Sequence, residues 1–206
     1  MTVTIPTPNS IRLGLAALAL LPTLAMTLTG CVNVTADQPE LHPTRAAIEE
    51  SRLVEWTIDP DLSRDDVGMV DGERSAIYDS LDADHPYRAR LTLPDGTVID
   101  QTVKYVAAWA ESDDGPPCSI TLNHDLMAAA DAESVLDGYR TALGLDADRV
   151  AGWRDHHDAV VAAGAGGTVA RSQIFTAPVG DVEATVEVGT NRTTGNVLVT
   201  VDLRRC

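Results

Sequence analysis

The chain contains few aromatic residues and little positive charge. Of its 206 residues, 4% are Phe, Trp or Tyr, Phe175 is the only phenylalanine and Lys104 is the only lysine. We therefore expect the core to rest on Val, Leu, Ala and the three tryptophans. The 31 acidic residues outnumber the 15 basic ones and give a formal net charge of −16 at pH 7. This balance argues against a nucleic-acid partner and against electrostatic adhesion to an anionic bilayer.

Sequence motifs for common cofactor and metal sites are also missing. The chain has no Gly-x-Ser-x-Gly elbow, phosphate loop, dinucleotide fingerprint or paired-cysteine zinc pattern. The acidic segment from Asp59 to Asp66 resembles a calcium loop in its spacing. However, the positions that require Gly and Glu in an EF-hand are Arg64 and Val70. We therefore expect no cofactor and no metal site, and we assign no catalytic residue.

The longest apolar run extends from Leu13 to Leu28, about 16 residues that include Pro22. It is shorter than the roughly 20 residues that a membrane-spanning helix needs. Arg12 is the single charged residue before this run, and the small residues Thr29 and Gly30 follow the run. A weakly positive start, an apolar run and small residues are typical of a secretory signal peptide.

The end of this run, Leu28-Thr29-Gly30-Cys31, resembles the lipobox of bacterial lipoproteins. The resemblance implies that residues 1–30 are a cleaved signal peptide and that Cys31 carries a lipid with palmitate-type acyl chains. It also implies that the lipid anchors the protein on the extracytoplasmic face of the cell membrane. Residues 31–43 are polar and aperiodic, and we interpret them as a flexible tether. An ordinary cleaved signal and an uncleaved signal anchor are the alternatives.

Two cysteines remain after lipidation of the first, Cys118 and Cys206. Outside the cytoplasm such a pair usually forms a disulfide, and this one would span 206 − 118 = 88 positions. Neither cysteine has a second metal ligand at a suitable spacing. The sequence therefore predicts a disulfide between Cys118 and Cys206.

Residues 44–206 fit one α+β domain, an antiparallel sheet with helices packed on one face. A looser N-terminal subregion over 44–117 is an alternative that the sequence leaves open. Helical spacing begins at two aspartates that can act as caps, Asp131 and Asp146. Strand alternation occurs at 87–93, from Thr97 to Tyr105, and again at 118–122, 168–176, 182–188 and 197–203. The segment 44–58 has helical character at its start and strand alternation at its end. Helix and strand therefore both remain open as interpretations of this segment.

The candidate chemical groups are histidines beside aspartates. His156 and His157 are adjacent on a predicted helix, so they point about 100° apart and do not easily share one metal ion. We interpret His157 as packing beside Trp153. His124 and Asp125 follow a strand without a nucleophile motif, and we interpret Asp125 as a cap or turn former. We expect at least two of the tryptophans to be buried, rather than all three lining a sugar-binding surface.

The chain beyond the lipobox looks loosely like the small cell-envelope lipoproteins of actinobacteria. The shared features are a tether, a helix with the sequence GYRTALGL and a hairpin that ends in a cysteine, within residues 118–206. The resemblance implies an envelope location and an α+β domain, and it assigns no functional residue except Cys31.

Two functional hypotheses follow. The first is a non-enzymatic module that binds an envelope protein or a cell-wall component. The alternative is an extracytoplasmic hydrolase that uses His124, His156 or His157 with nearby aspartates. A pocket that holds two of these histidines and a carboxylate favours the hydrolase, and scattered histidines favour the binding module.

Overall fold

The structure is a computed structural model that describes residues 42–82, 84–164 and 169–206. The predicted signal peptide, Cys31 and nearly all of the predicted tether lie outside these residues. The helices are α1 (Pro43–Ser51), α2 (Ala129–Leu143), α3 (Ala147–Ala151) and α4 (Trp153–Ala162). The strands are β1 (Leu53–Thr57), β2 (Ser75–Asp79), β3 (Tyr87–Thr92), β4 (Val98–Val103), β5 (Tyr105–Ala110), β6 (Pro117–Asn123), β7 (Val169–Val179), β8 (Val182–Asn191) and β9 (Val197–Arg204).

The strands form two sheets. The larger has six antiparallel strands in the order β2-β5-β6-β9-β8-β7. The smaller has the order β1-β3-β4, in which β1 runs parallel to β3 and β3-β4 is an antiparallel hairpin. Helix α2 packs against β9, and α4 packs against β7 and β8. The predicted α+β fold, with helices beside an antiparallel sheet, is therefore confirmed.

The ambiguous segment 44–58 forms both of the elements that its sequence indicates. Helix α1 begins at Pro43, and the side chain of His42 caps it by accepting from the Thr44 backbone N–H. Arg52 adopts a left-handed conformation with φ 55° and ends the helix. Strand β1 then follows at once, with Val54 and Trp56 facing the core.

The C-terminal half follows its sequence pattern closely. The inward residues of β8 and β9 are all buried: Val182, Ala184, Val186, Val188, Val197, Val199, Val201 and Leu203. Asp146 caps α3 by accepting from the Arg149 backbone N–H at 2.8 Å, as predicted. Asp131 does not cap α2. The cap position is Ala128, and Asp131 lies in the first turn.

The predicted strand from Thr97 to Tyr105 divides at Lys104. Strand β4 ends at Val103 in the smaller sheet, and Tyr105 begins β5 in the larger sheet. The chain changes sheets there because Tyr105 pairs with Asp79 on one side and with Asn123 on the other. Strands β2 and β5 thus join the C-terminal strands in one sheet.

The predicted disulfide between Cys118 and Cys206 is present, with the two Cα atoms 5.5 Å apart. It links Cys118, the second residue of β6, to Cys206 at the end of the sequence. Next to it, the Arg205 backbone N–H donates to the Cys118 carbonyl at 2.8 Å, and the Arg205 guanidinium donates to the Asp59 carbonyl. The C-terminus is therefore held to β6 and to the loop after β1.

Gly68 packs so closely that a methyl group has no room there. It has φ 67°, and a Cβ atom would lie 2.6 Å from the Tyr78 hydroxyl oxygen and 3.0 Å from the Arg45 backbone nitrogen. Gly72 provides a matched control, because it has φ 78° and no atom within 4 Å of such a Cβ. Comparing alanine at the two positions separates steric overlap from backbone strain.

We expect Gly72→Ala to lower the free energy of unfolding by about 1–2 kcal/mol through left-handed strain alone. Gly68→Ala adds overpacking against Tyr78 and should lower it by roughly 2–5 kcal/mol in total. Urea unfolding curves of the two variants and the parent protein measure both effects. Equal losses at the two positions would contradict the close packing around Gly68.

Candidate functional site

A cavity of about 300 Å³ opens beside the N-terminal part of α2. Its volume is at the lower end of the range for small-molecule sites. One wall comes from the end of β4 at Thr102 and Val103, and another from α2 at Val135. The connections β2–β3 and β6–α2 complete it, the first with Ser80 and Pro86, the second with His124 and Met127.

His124 forms a buried part of the cavity wall. It continues the inward-facing series of β6 that begins with Ile120 and Leu122, and its side chain is only 3% exposed. Its backbone N–H donates to the Val199 carbonyl at 3.0 Å, which extends the pairing of β6 with β9 by one residue. The strand geometry therefore directs this imidazole into the protein.

The imidazole of His124 is neutral near pH 7. Burial lowers its pKa to about 4, and a hydrogen bond to the backbone of Thr102 opposes this shift in part. Its Nε2 lies 2.9 Å from the hydroxyl of Tyr139, whose ring meets it edge-on. Burial also raises the pKa of Tyr139 well above its usual value of 10, so this hydroxyl stays protonated. The neutral imidazole of His124 and the neutral hydroxyl of Tyr139 thus satisfy each other's hydrogen-bonding capacity.

The rim of the cavity is acidic. The carboxylates of Asp82, Asp125 and Asp131 stand there beside the single ammonium group of Lys104. Lys104 Nζ lies 3.8 Å from Asp125, and Asp82 contacts His85 Nδ1 at 2.7 Å. Asp131 forms no ion pair with any residue that the structure describes. The rim therefore carries excess negative charge and one carboxylate that is available to a ligand.

Two exposed leucines lie on the connections that form this rim. Leu81 follows Ser80 and is 94% exposed, and Leu126 follows Asp125 and is 47% exposed. Large apolar side chains at such exposure are common singly on protein surfaces. Here each leucine is a sequence neighbour of residues that line the cavity, and neither leucine lines it.

His157 occupies a different environment from His124. Its ring lies 5.3 Å from that of Trp153, which confirms the predicted packing. Its Nε2 is 3.0 Å from the Gly195 carbonyl oxygen and its Nδ1 is 3.0 Å from a carboxylate oxygen of Asp158. His156 points to the exposed side of α4. The two buried imidazoles thus have separate partners and share no carboxylate.

The acidic segment after β1 uses its carboxylates to close turns. Asp59 accepts from the Asp61 backbone N–H at 2.9 Å. Asp66 accepts from both the backbone N–H and the hydroxyl of Ser63, and these bonds hold its pKa below the usual value. In the described ranges, no group of three or more His, Cys, Asp or Glu side chains is placed to hold a metal ion.

The three tryptophans do not form one surface. Trp56 and Trp153 are buried at 4% and 1% exposure, whereas Trp109 is 39% exposed on β5. This confirms the expectation that at least two are buried. The indole N–H groups of Trp56 and Trp153 have no hydrogen-bond partner within the structure as described.

The sequence indicated His124 and Asp125 as neighbours after a strand but gave no sign of the cavity. Asp125 accepts from the Leu126 backbone N–H at 2.8 Å, in the turn-forming role expected of it. The signal that could have placed His124 inside is its position two residues after Leu122 in an alternating series. Lys104 and Asp131 come to the same rim from distant parts of the chain, which local spacing does not reveal.

Comparisons with protein-family models, with curated proteins and with solved structures found no match to this chain. Among the helices that the structure describes, none is long and apolar enough to cross a membrane.

Proposed function

We propose that this chain is a lipid-anchored cell-envelope protein that acts as a non-enzymatic binding module. Its lipid is attached at Cys31, its folded domain stands on the extracytoplasmic face of the membrane, and its ligand enters the cavity beside His124. The observation that carries the anchor is the position of Cys31, directly after Leu28-Thr29-Gly30 at the end of the apolar run.

Two further features support a lipid-anchored protein on the extracytoplasmic face of the membrane. The remaining cysteines form the Cys118–Cys206 disulfide, and structural disulfides persist mainly in oxidising compartments. The strong negative charge disfavours direct adhesion to an anionic bilayer, so a covalent lipid is the more effective means of attachment. Two acyl chains anchor a protein stably where one does not.

The geometry of the histidines supports binding rather than hydrolysis. A hydrolytic base must reach a nucleophile or a water molecule that faces the substrate. His124 instead bonds to Tyr139 and to the Thr102 backbone, and His157 bonds to Gly195 and Asp158. Both imidazoles are committed to contacts within the protein. A hydrolase requires a histidine that is free to act as a base toward a nucleophile or water. Neither of these two buried histidines is free in this way.

Replacing Cys31 by serine tests the anchor. We expect the parent protein in the membrane fraction and the Cys31→Ser variant largely outside it, because a serine hydroxyl does not accept the lipid. The matched control is Cys118→Ser with Cys206→Ser, which also replaces cysteine by serine but leaves the anchor. All three proteins are followed by immunoblotting of membrane and soluble fractions. Equal membrane association of the parent protein and Cys31→Ser, with residues 1–30 removed from both, would overturn the lipid anchor.

A further inference from the structure

We propose that the cavity beside His124 binds a small organic cation, with its apolar body between Val103 and Val135 and its charged nitrogen at Asp131. This inference rests on the proposed binding function and specifies the ligand class. It depends on three properties of the cavity: the chemistry of its walls, the charge of its rim and its volume.

The walls offer apolar contact and little hydrogen bonding. Val103, Met127 and Val135 supply aliphatic surface, and Pro86 adds to it. His124 also faces this space, but its imidazole is already bonded to Tyr139 and to Thr102. Ser80 is committed as well, since its hydroxyl oxygen lies 2.5 Å and 2.7 Å from the carbonyl oxygens of Asp82 and His85 and shares its single proton between them. The interior therefore suits a hydrocarbon or aromatic group rather than a sugar.

The charge of the rim selects a cation. Three carboxylates face one ammonium group there, and Lys104 is already drawn toward Asp125. Asp131 lies in the first turn of α2 and its side chain is exposed, so its carboxylate can reach a ligand in the cavity. An anionic ligand would meet this carboxylate and the net charge of −16 of the whole chain. A protonated amine is attracted both by this carboxylate and by the net negative charge of the chain.

The volume limits the size of the ligand. A water molecule occupies about 30 Å³ in the liquid, so 300 Å³ corresponds to about ten non-hydrogen atoms. An arylalkyl amine such as 2-phenylethylammonium has this size and combines one apolar ring with one cationic nitrogen. The neutral alcohol 2-phenylethanol and the anion 3-phenylpropanoate have nearly the same shape and differ in charge.

The chain supplies its own reporter for a binding experiment. Met127 lines the cavity, whereas Met69 is buried in the core at 1% exposure and does not line it. The full chain is expressed with [methyl-13C]methionine and placed in phospholipid nanodiscs, and the three probes are titrated in turn. We expect 2-phenylethylammonium to shift the Met127 methyl signal with saturation, while the Met69 signal stays in place. A Met127→Leu variant assigns the signal.

Two charge variants separate the role of the rim from general electrostatics. Asp131→Asn removes the available carboxylate, and Asp155→Asn makes the same change in the first turn of α4, away from the cavity. We expect Asp131→Asn to weaken binding of the cation between about three- and tenfold. Asp155→Asn should leave the affinity for the cation unchanged within experimental error. The positions of the Met69 signals confirm that both variants are folded.

Each outcome decides the inference. Preferential binding of the amine, weakened by Asp131→Asn alone, supports it. Equal binding of amine and alcohol, tighter binding of the anion, or no shift of Met127 with any probe overturns it. These failures are distinct from failure of the anchor, because the lipid and the membrane association of Cys31→Ser are measured without any probe. A ligand of another class found in this cavity would remove the cation claim and retain the binding module.

Discussion

Removing the disulfide by the joint substitution Cys118→Ser and Cys206→Ser is expected to lower the free energy of unfolding by about 4–5 kcal/mol. The bond closes a loop of 88 positions. In the chain-entropy model, opening a loop of this length returns that much conformational freedom to the unfolded chain. The loss is large beside the typical 5–15 kcal/mol stability of a whole domain.

Denaturant unfolding of the double-serine variant and the parent protein under non-reducing conditions measures this difference. The parent protein in reducing buffer provides the control, because it should lose stability to a similar extent without any change in sequence. The contacts of Arg205 with the Cys118 carbonyl and with Asp59 remain available in the variant. A loss below about 1 kcal/mol would mean that these contacts, rather than the covalent bond, hold the C-terminus.

Acidification below pH 6.5 is expected to destabilise the protein through His124. The pKa of this residue falls from 6.5 in the unfolded chain to about 4 in the folded protein, because burial disfavours its charged form. Between these values the unfolded state binds a proton that the folded state does not. The contribution of neutral His124 to the free energy of unfolding is therefore complete above pH 6.5, and it decreases as the pH falls toward 4. Integration over this window gives a loss of about 3 kcal/mol.

Unfolding measured at intervals from pH 7.5 to 4 tests this dependence. His124→Gln removes the titrating group and should flatten the profile, even though it lowers stability at every pH. His156→Gln is the matched control, because His156 is exposed on α4 and should leave the profile unchanged. Aspartates such as Asp66 and Asp158, whose pKa values are lowered in the folded state, contribute mainly at the acid end. An unchanged slope in His124→Gln would contradict the burial of a neutral imidazole.

Much of the fold is predictable from local patterns. Strands β8 and β9 alternate apolar and polar residues over 182–188 and 197–203, and α2 ends at Gly144 in a left-handed conformation that glycine adopts readily. Strand β2 was not predicted. Its Ala76 and Tyr78 are buried, but Ile77 on the opposite face is 42% exposed, so the alternation is obscured. The division between β4 and β5 at Lys104 depends on pairing with distant strands, which local pattern does not show.

The candidate site was less predictable than the fold, because it is assembled from separate parts of the chain. Thr102 and Val103 come from β4, His124 follows β6, and Asp131 and Val135 lie on α2. His124 is the one residue of this set that the sequence singles out, and the others have ordinary local roles. The site becomes visible only when the sheets and α2 place these residues around one space.

The most direct test of the central claim is the intact mass of the native protein, recovered from its own host under non-reducing conditions. The account predicts a membrane-bound chain that begins at Cys31, carries a diacylglycerol on that residue and lacks two hydrogens because of the Cys118–Cys206 disulfide. Recovery of the full 206-residue chain from the cytosol, with no lipid on Cys31 and with free thiols at the other two cysteines, would contradict it.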